Sequence, residues 1–176
     1  MLTEFARDHA FTIAWFGLMA FVWFGWSQED PPARWRWRLG AGSALGAVLA
    51  GIFGYAVATR WGEDSALEDR YGWFGVAVLA EVLLAGIGCL LPWRRGKGRW
   101  AAWWVALVVA LHFVPLAGFL EDWSLAVLGA VQALCLIALL PRLRASDAAS
   151  SRLVGPLMGA SFLLFALASA LLYLLR

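Results

Sequence analysis

Six long apolar stretches constrain this chain more than any other feature in it: approximately Ala10–Trp26, Leu39–Thr59, Trp73–Leu91, Ala101–Leu120, Trp123–Leu140 and Leu153–Leu175. A helix needs roughly 20 mostly apolar residues to cross a hydrocarbon core ~30 Å thick, and each stretch has about that length. None alternates polar and apolar residues with a period of two, as barrel strands of about 9–11 residues would. Backbone groups in lipid must be satisfied within their own segment, so each stretch reads as a helix. The expected fold is all-α: a polytopic membrane protein, one integral domain over residues 1–176, with six transmembrane helices in a bundle. Composition agrees, because 62% of residues are hydrophobic and 15% are charged. Soluble domains have about 45–50% apolar and about 25% charged residues. A soluble core of this size could not hide the excess, which argues against a soluble enzyme, a nucleic-acid binder or a disordered chain. Two cysteines without repeated spacing exclude a disulfide scaffold or a zinc cluster.

The first stretch reads as a mature helix rather than a signal peptide. Its leader, MLTEFARDH, contains Glu4 and Asp8, and no small-residue cleavage motif follows Trp26. Orientation follows from Lys and Arg in the short loops. Arg34, Arg36 and Arg38 follow span one; Arg94, Arg95, Lys97 and Arg99 follow span three; Arg142, Arg144 and Arg152 follow span five. The opposite side carries four cations, Arg7, Arg60, Arg70 and Arg176, together with Glu4, Asp8, Glu63, Asp64, Glu68, Asp69, Glu121 and Asp122. The ten clustered cations are expected to face the cytoplasm, with both termini outside, in a bacterial cytoplasmic membrane.

Tryptophan marks the same boundaries. Trp26, Trp35, Trp37, Trp61, Trp73, Trp93, Trp100 and Trp123 fall at span ends or in adjacent loops, where amphipathic rings suit the headgroup layer. Trp15, Trp23, Trp103 and Trp104 lie deeper and are expected to pack. Spans one, three and five each end in proline followed by a basic loop, at Pro31-Pro32, Pro92 and Pro141, which suggests three helical hairpins in one orientation. Helix termination by proline and basic inner loops account for the same pattern without a repeat.

Small residues indicate how the helices meet. Gly42, Gly46, Ala50 and Gly54 recur every four residues in span two, with Ser43, Ala47 and Gly51 beside them, and span six opens with Gly155 and Gly159. Such ridges let helices approach closely enough for dispersion to hold them together in lipid. Packing within the chain is expected, and the same ridges would also suit a homo-oligomer.

Among the ionisable residues, Glu81 stands apart, since it lies near the middle of span three on a stripe with Ala77, Ala85 and Cys89. A charge there costs at least ~2.5–3.5 kcal/mol, so such residues usually face the protein interior or a cavity. His112 lies in span four, one turn before Pro115, which cannot donate to the Leu111 carbonyl and should kink the helix. Gln132 is the strongly polar residue of span five. At ~1.5 Å per residue, Glu81, His112 and Gln132 all sit about 12–13 Å below the outer end of their spans. A cluster at one depth is therefore expected, approached by Tyr55 and Ser169 from spans two and six. Interhelical hydrogen bonds of on the order of 0.6 kcal/mol each would equally explain such residues as structural.

A carboxylate beside an imidazole permits proton exchange or weak cation coordination. One Glu and one His fall short of the three protein ligands typical of catalytic zinc, so no metal site is expected. No Lys lies inside a span, which excludes a retinal Schiff base. His9, at the outer end of span one, is expected at the interface; it and His112 differ in depth, which disfavours haem between them, and no cofactor is expected. Leu111-His112-Phe113-Val114-Pro115-Leu116-Ala117 resembles a His-aromatic-x-Pro-Leu-Ala signature of small bacterial membrane proteins; the resemblance implies no activity. The leading functional expectation is a proton- or cation-linked transporter or channel for a small solute, using Glu81, His112, Gln132, Tyr55 and Ser169. The alternatives are an accessory or assembly subunit of a larger membrane complex and, lower in order, an intramembrane enzyme acting on a lipid or quinone. The bilayer is the expected partner, and nucleic acid is not expected.

Overall fold

The structure, a computed structural model, describes residues 4–175. Met1, Leu2 and Thr3 of the leader, the Asp69 side chain and Arg176, the last two assigned above to the outer face, lie outside the described residues. Six helices run α1 Ala6–Trp26, α2 Arg36–Thr59, α3 Tyr71–Arg94, α4 Ala101–Phe119, α5 Trp123–Arg144 and α6 Ser151–Leu174. All six are long and apolar enough to cross a membrane, so the chain is an integral membrane protein built as a six-helix bundle. The helices alternate in direction. One end of the bundle gathers the start of α1, the end of α6 and the acidic loops; the other gathers the basic loops.

Three of the shifts from the expected span boundaries have a local cause. Helix α1 begins at Ala6 and takes in Asp8 and His9, both buried. Asp8 can be buried because its Oδ2 accepts the Ala66 N–H at 2.7 Å and the Ser65 hydroxyl at 3.1 Å, so the α2–α3 loop satisfies it. Helices α3 and α5 run past Pro92 and Pro141 rather than ending there. Proline removes one donor, but its own carbonyl still accepts: Pro92 O takes the Arg95 and Lys97 N–H groups, and Pro141 O takes that of Ala145.

Helix α1 is the spine. It lies along α2 on one side and α6 on the other, while α5 lies chiefly along α4 and α3 leans on α4. The α1–α2 and α3–α4 hairpins are therefore well packed, whereas the third is held mainly by neighbours outside it. At the centre Phe16 of α1 stacks on Phe162 of α6, with centroids 5.4 Å apart, and meets Phe113 of α4 edge-on at 5.5 Å. Aromatic pairs of this kind contribute about 0.5–1.5 kcal/mol beyond area burial.

The α1–α2 contact depends on glycine facing glycine. A Cβ added at Gly46 would lie 2.5 Å from the Gly17 carbonyl oxygen, and one at Gly17 would lie 2.8 Å from that of Gly46 and 2.9 Å from Ala50 N. Gly42 and Gly159 receive the Phe24 ring from two sides, and Gly155 receives Ser27 and Trp23, so the span-six glycines also serve α1. Gly51 and Gly54, expected on packing ridges, have nothing within 4 Å of an added Cβ. At ~100° per residue a four-residue ridge winds off its contact face: Gly54 is about 120° round from Gly42, and Gly51 about 140° from Gly46. Three close contacts were not anticipated, namely Gly17, Gly129 against the Ala110 carbonyl, and Gly88 beneath the Trp104 indole.

Candidate functional site

Helix α3 turns one stripe toward α4. Phe74, Ala77, Val78, Glu81, Ala85, Gly88, Cys89 and Pro92 are its less exposed residues, and they fall on one face at helical spacing. Small side chains on either side of Glu81 let the helices approach, and the carboxylate reaches across. Its Oε2 lies 3.4 Å from His112 Nε2 on α4, with the imidazole side chain 8% exposed and the carboxylate side chain 22% exposed. The contact is at ion-pair distance but outside hydrogen-bond geometry, so the buried Nε2 makes no hydrogen bond among the described residues.

The pair stands between two cavities. One, of about 270 Å³, lies among α1, α3 and α4 and is lined by the rings of Phe11, Trp15, Phe16, Phe74 and Phe113. The other, of about 380 Å³, lies in the α3–α4 groove and is lined by Ala77, Leu84, Trp104, Leu111 and Pro115. Glu81 and His112 line both and are the ionisable residues in either wall. Pro115 stays inside α4, one turn beyond His112.

The other polar residues expected at this depth are placed elsewhere. Gln132 is buried, but its Nε2 donates to Ser161 Oγ of α6 at 2.7 Å, and Ser161 donates in turn to the Met158 carbonyl at 2.9 Å. Its Oε1 accepts no hydrogen bond among the described residues. Ser169 lies 2.9 Å from His9 Nε2, with both residues buried between α6 and α1. His9 is therefore a core residue and not an interfacial one, its ring edge-on to Tyr173. Tyr55 is 74% exposed on the outward face of α2 and, among the described residues, joins no polar contact of this layer. Equal depth follows from rise per residue, whereas meeting also requires the right rotation about each helix axis. His112 points from α4 toward α3, and Gln132 from α5 toward α6.

Of the rings lining the first cavity, Phe11, Phe16 and Phe74 were not singled out from the sequence, and Trp15, expected to pack, is 45% exposed beside it. Ser161 was detectable as a hydroxyl in the middle of an apolar span. Among the described residues no three His, Cys, Asp or Glu side chains gather as a metal site. Chemically, the arrangement offers one carboxyl and one imidazole close enough to exchange a proton or to hold a cation between them, in apolar surroundings. Comparison with family models, with curated proteins and with solved structures returns no match to this chain.

Proposed function

We propose that the chain is a small transporter or channel-like protein in which protonation of Glu81, held beside His112, is linked to passage of a small solute. The observation that carries this reading is the Glu81–His112 pair standing between two cavities inside the membrane. The lining favours a particular solute, a small amphiphilic cation. Aromatic faces attract cations, and the carboxylate supplies the opposite charge where lipid would otherwise make a cation costly. A proton on Glu81, a protonated His112 and a bound cation each neutralise the same carboxylate, so they compete, and competition is what couples one flux to another. In this reading the basic end faces the cytoplasm and both termini face outside, in a bacterial cytoplasmic membrane.

Proteoliposomes with an entrapped pH dye test it, with tetraphenylphosphonium and benzyltrimethylammonium as probe cations. Addition of probe to wild-type vesicles should release protons faster than in protein-free vesicles. Glu81→Gln should return the rate to the protein-free level, and His112→Gln should lower it. A wild-type rate in Glu81→Gln overturns the proposal.

A second reading, an accessory subunit of a membrane complex, draws on one observation: among the described residues of α3 only Gly88 is fully buried, and the faces of that helix turned away from α4 are left to lipid or a partner. Recovery of a stoichiometric partner with the tagged chain in mild detergent would favour it.

A further inference from the structure

The α3–α4 groove continues past the Glu81 level toward the basic end, where a recess of about 390 Å³ shares Leu84 and Trp104 with the 380 Å³ cavity. Its walls are Leu84, Ile87, Leu91, Pro92 and Trp104, and its mouth is Arg95 and Lys97. The mouth is built by a specific turn. Gly96 has φ +70, in the left-handed region that favours glycine, and the Lys97 N–H returns to the Pro92 carbonyl at 2.7 Å. The chain thereby folds back over the end of α3 and sets Lys97 beside Arg95.

The two cations are left available. Among the described residues neither makes an ion pair. The acids of this end are engaged elsewhere: Glu29 accepts from Ser151 at 2.6 Å, Asp30 lies 3.6 Å from Arg152, and Asp147 lies 3.9 Å from Arg99. The floor is equally defined. Trp104 Nε1 donates to the Leu84 carbonyl at 2.9 Å, and its indole occupies the space that any side chain at Gly88 would need. From Arg95 to Glu81 the groove follows about 21 Å of helix at ~1.5 Å per residue. One leaflet of a ~30 Å core is about 15 Å deep, so the groove accommodates a headgroup and one leaflet's depth of chain.

We propose that this groove is a binding site for an anionic phospholipid of the leaflet at the basic end. The phosphodiester sits on Arg95 and Lys97, and one acyl chain lies along Leu84, Leu91 and Trp104. Apolar walls alone would take any lipid. Two unpaired cations at the mouth select for negative charge.

Native mass spectrometry of the purified chain, titrated with phosphatidylglycerol or phosphatidylcholine of identical chains, reads the preference directly. The expected result is tighter retention of phosphatidylglycerol, weakened about 30-fold at low salt in the Arg95→Gln/Lys97→Gln variant, since each basic residue near the surface contributes on the order of a factor of five. The Arg142→Gln/Arg144→Gln variant, with the same net charge, should keep wild-type retention. A phosphatidylglycerol with brominated chains should quench wild-type fluorescence more than that of Trp104→Phe. Equal retention of both lipids, or equal loss in the two double variants, overturns the proposal. A dimer that the Arg95/Lys97 variant dissolves, with no lipid bound, would instead assign the groove to a second copy.

Discussion

The close backbone approach between α1 and α2 makes a quantitative prediction. At Gly46 an added Cβ would stand 2.5 Å from the Gly17 carbonyl oxygen, whereas real Cβ atoms essentially never come nearer than 3.0 Å to a neighbour. The obstructing atom is backbone, so no side chain can swing aside, and in Gly46→Ala α1 and α2 must part by at least half an ångström. A gap of 0.5–1 Å forfeits about a quarter to a half of each dispersion contact along the seam. Parting also stretches the Ser43 hydroxyl bond to the Phe21 carbonyl, now 3.0 Å, a bond of on the order of 0.6 kcal/mol in a membrane. Together these place Gly46→Ala in the overpacking range of about 1–3 kcal/mol. For a chain of this size each kcal/mol lowers the melting temperature by about 2–4 °C. The control is Gly51→Ala, where the added methyl meets nothing within 4 Å and alanine's better helix propensity is worth up to about 1 kcal/mol. Thermal unfolding in mild detergent, followed by far-ultraviolet circular dichroism, should separate the two: Gly46→Ala lower by about 2–12 °C, Gly51→Ala level with wild type or above it. Equal melting of Gly46→Ala and wild type, or an equal fall in both variants, would refute the packing argument.

Three further outcomes follow from contacts elsewhere. Ser161→Ala leaves the buried Gln132 amide without its hydroxyl partner and should cost about 1–3 kcal/mol, while Gln132→Leu/Ser161→Ala should recover most of that loss in the same melting assay. Asp8→Ala removes the acceptor that anchors Ser65 and Ala66, and should cost about 1.5–3 kcal/mol as a charged hydrogen-bonding group; faster proteolysis in the 59–71 loop would report the same release. For orientation, single cysteines replacing Trp61 or Trp37 in a Cys89→Ala/Cys135→Ala background should differ toward a membrane-impermeant maleimide. The first should label in intact cells and the second only after lysis, if the basic end is cytoplasmic; the reverse pattern would overturn that assignment.

Which parts of the molecule were readable in one dimension can be seen from particular residues. Spans are readable because hydrocarbon thickness sets a length and lipid excludes charge, both of which act on each segment by itself. Glu81 was visible for the same reason, since a carboxylate amid Ala80 and Val82 has no local excuse. His9 was misplaced because burial at a helix end depends on what covers it, here Ser169 and Tyr173 from the far end of the chain. Gly51 was misplaced because a small residue marks a contact only if a partner stands on its side of the helix.

The amino-acid sequence by itself determined six membrane helices, their alternating direction, a basic end and an acidic end, and a carboxylate in the middle of the third helix. These are consequences of local composition acting against a slab of hydrocarbon. Tertiary structure alone decided that α1 is the spine, that Glu81 meets His112 and that Gln132 turns away to Ser161. It also decided that the α3–α4 groove runs from that pair to Arg95 and Lys97. Depth along the membrane normal accumulates residue by residue, whereas rotation about each axis is set by which ridges of which helices interlock, a property of pairs that no single segment carries.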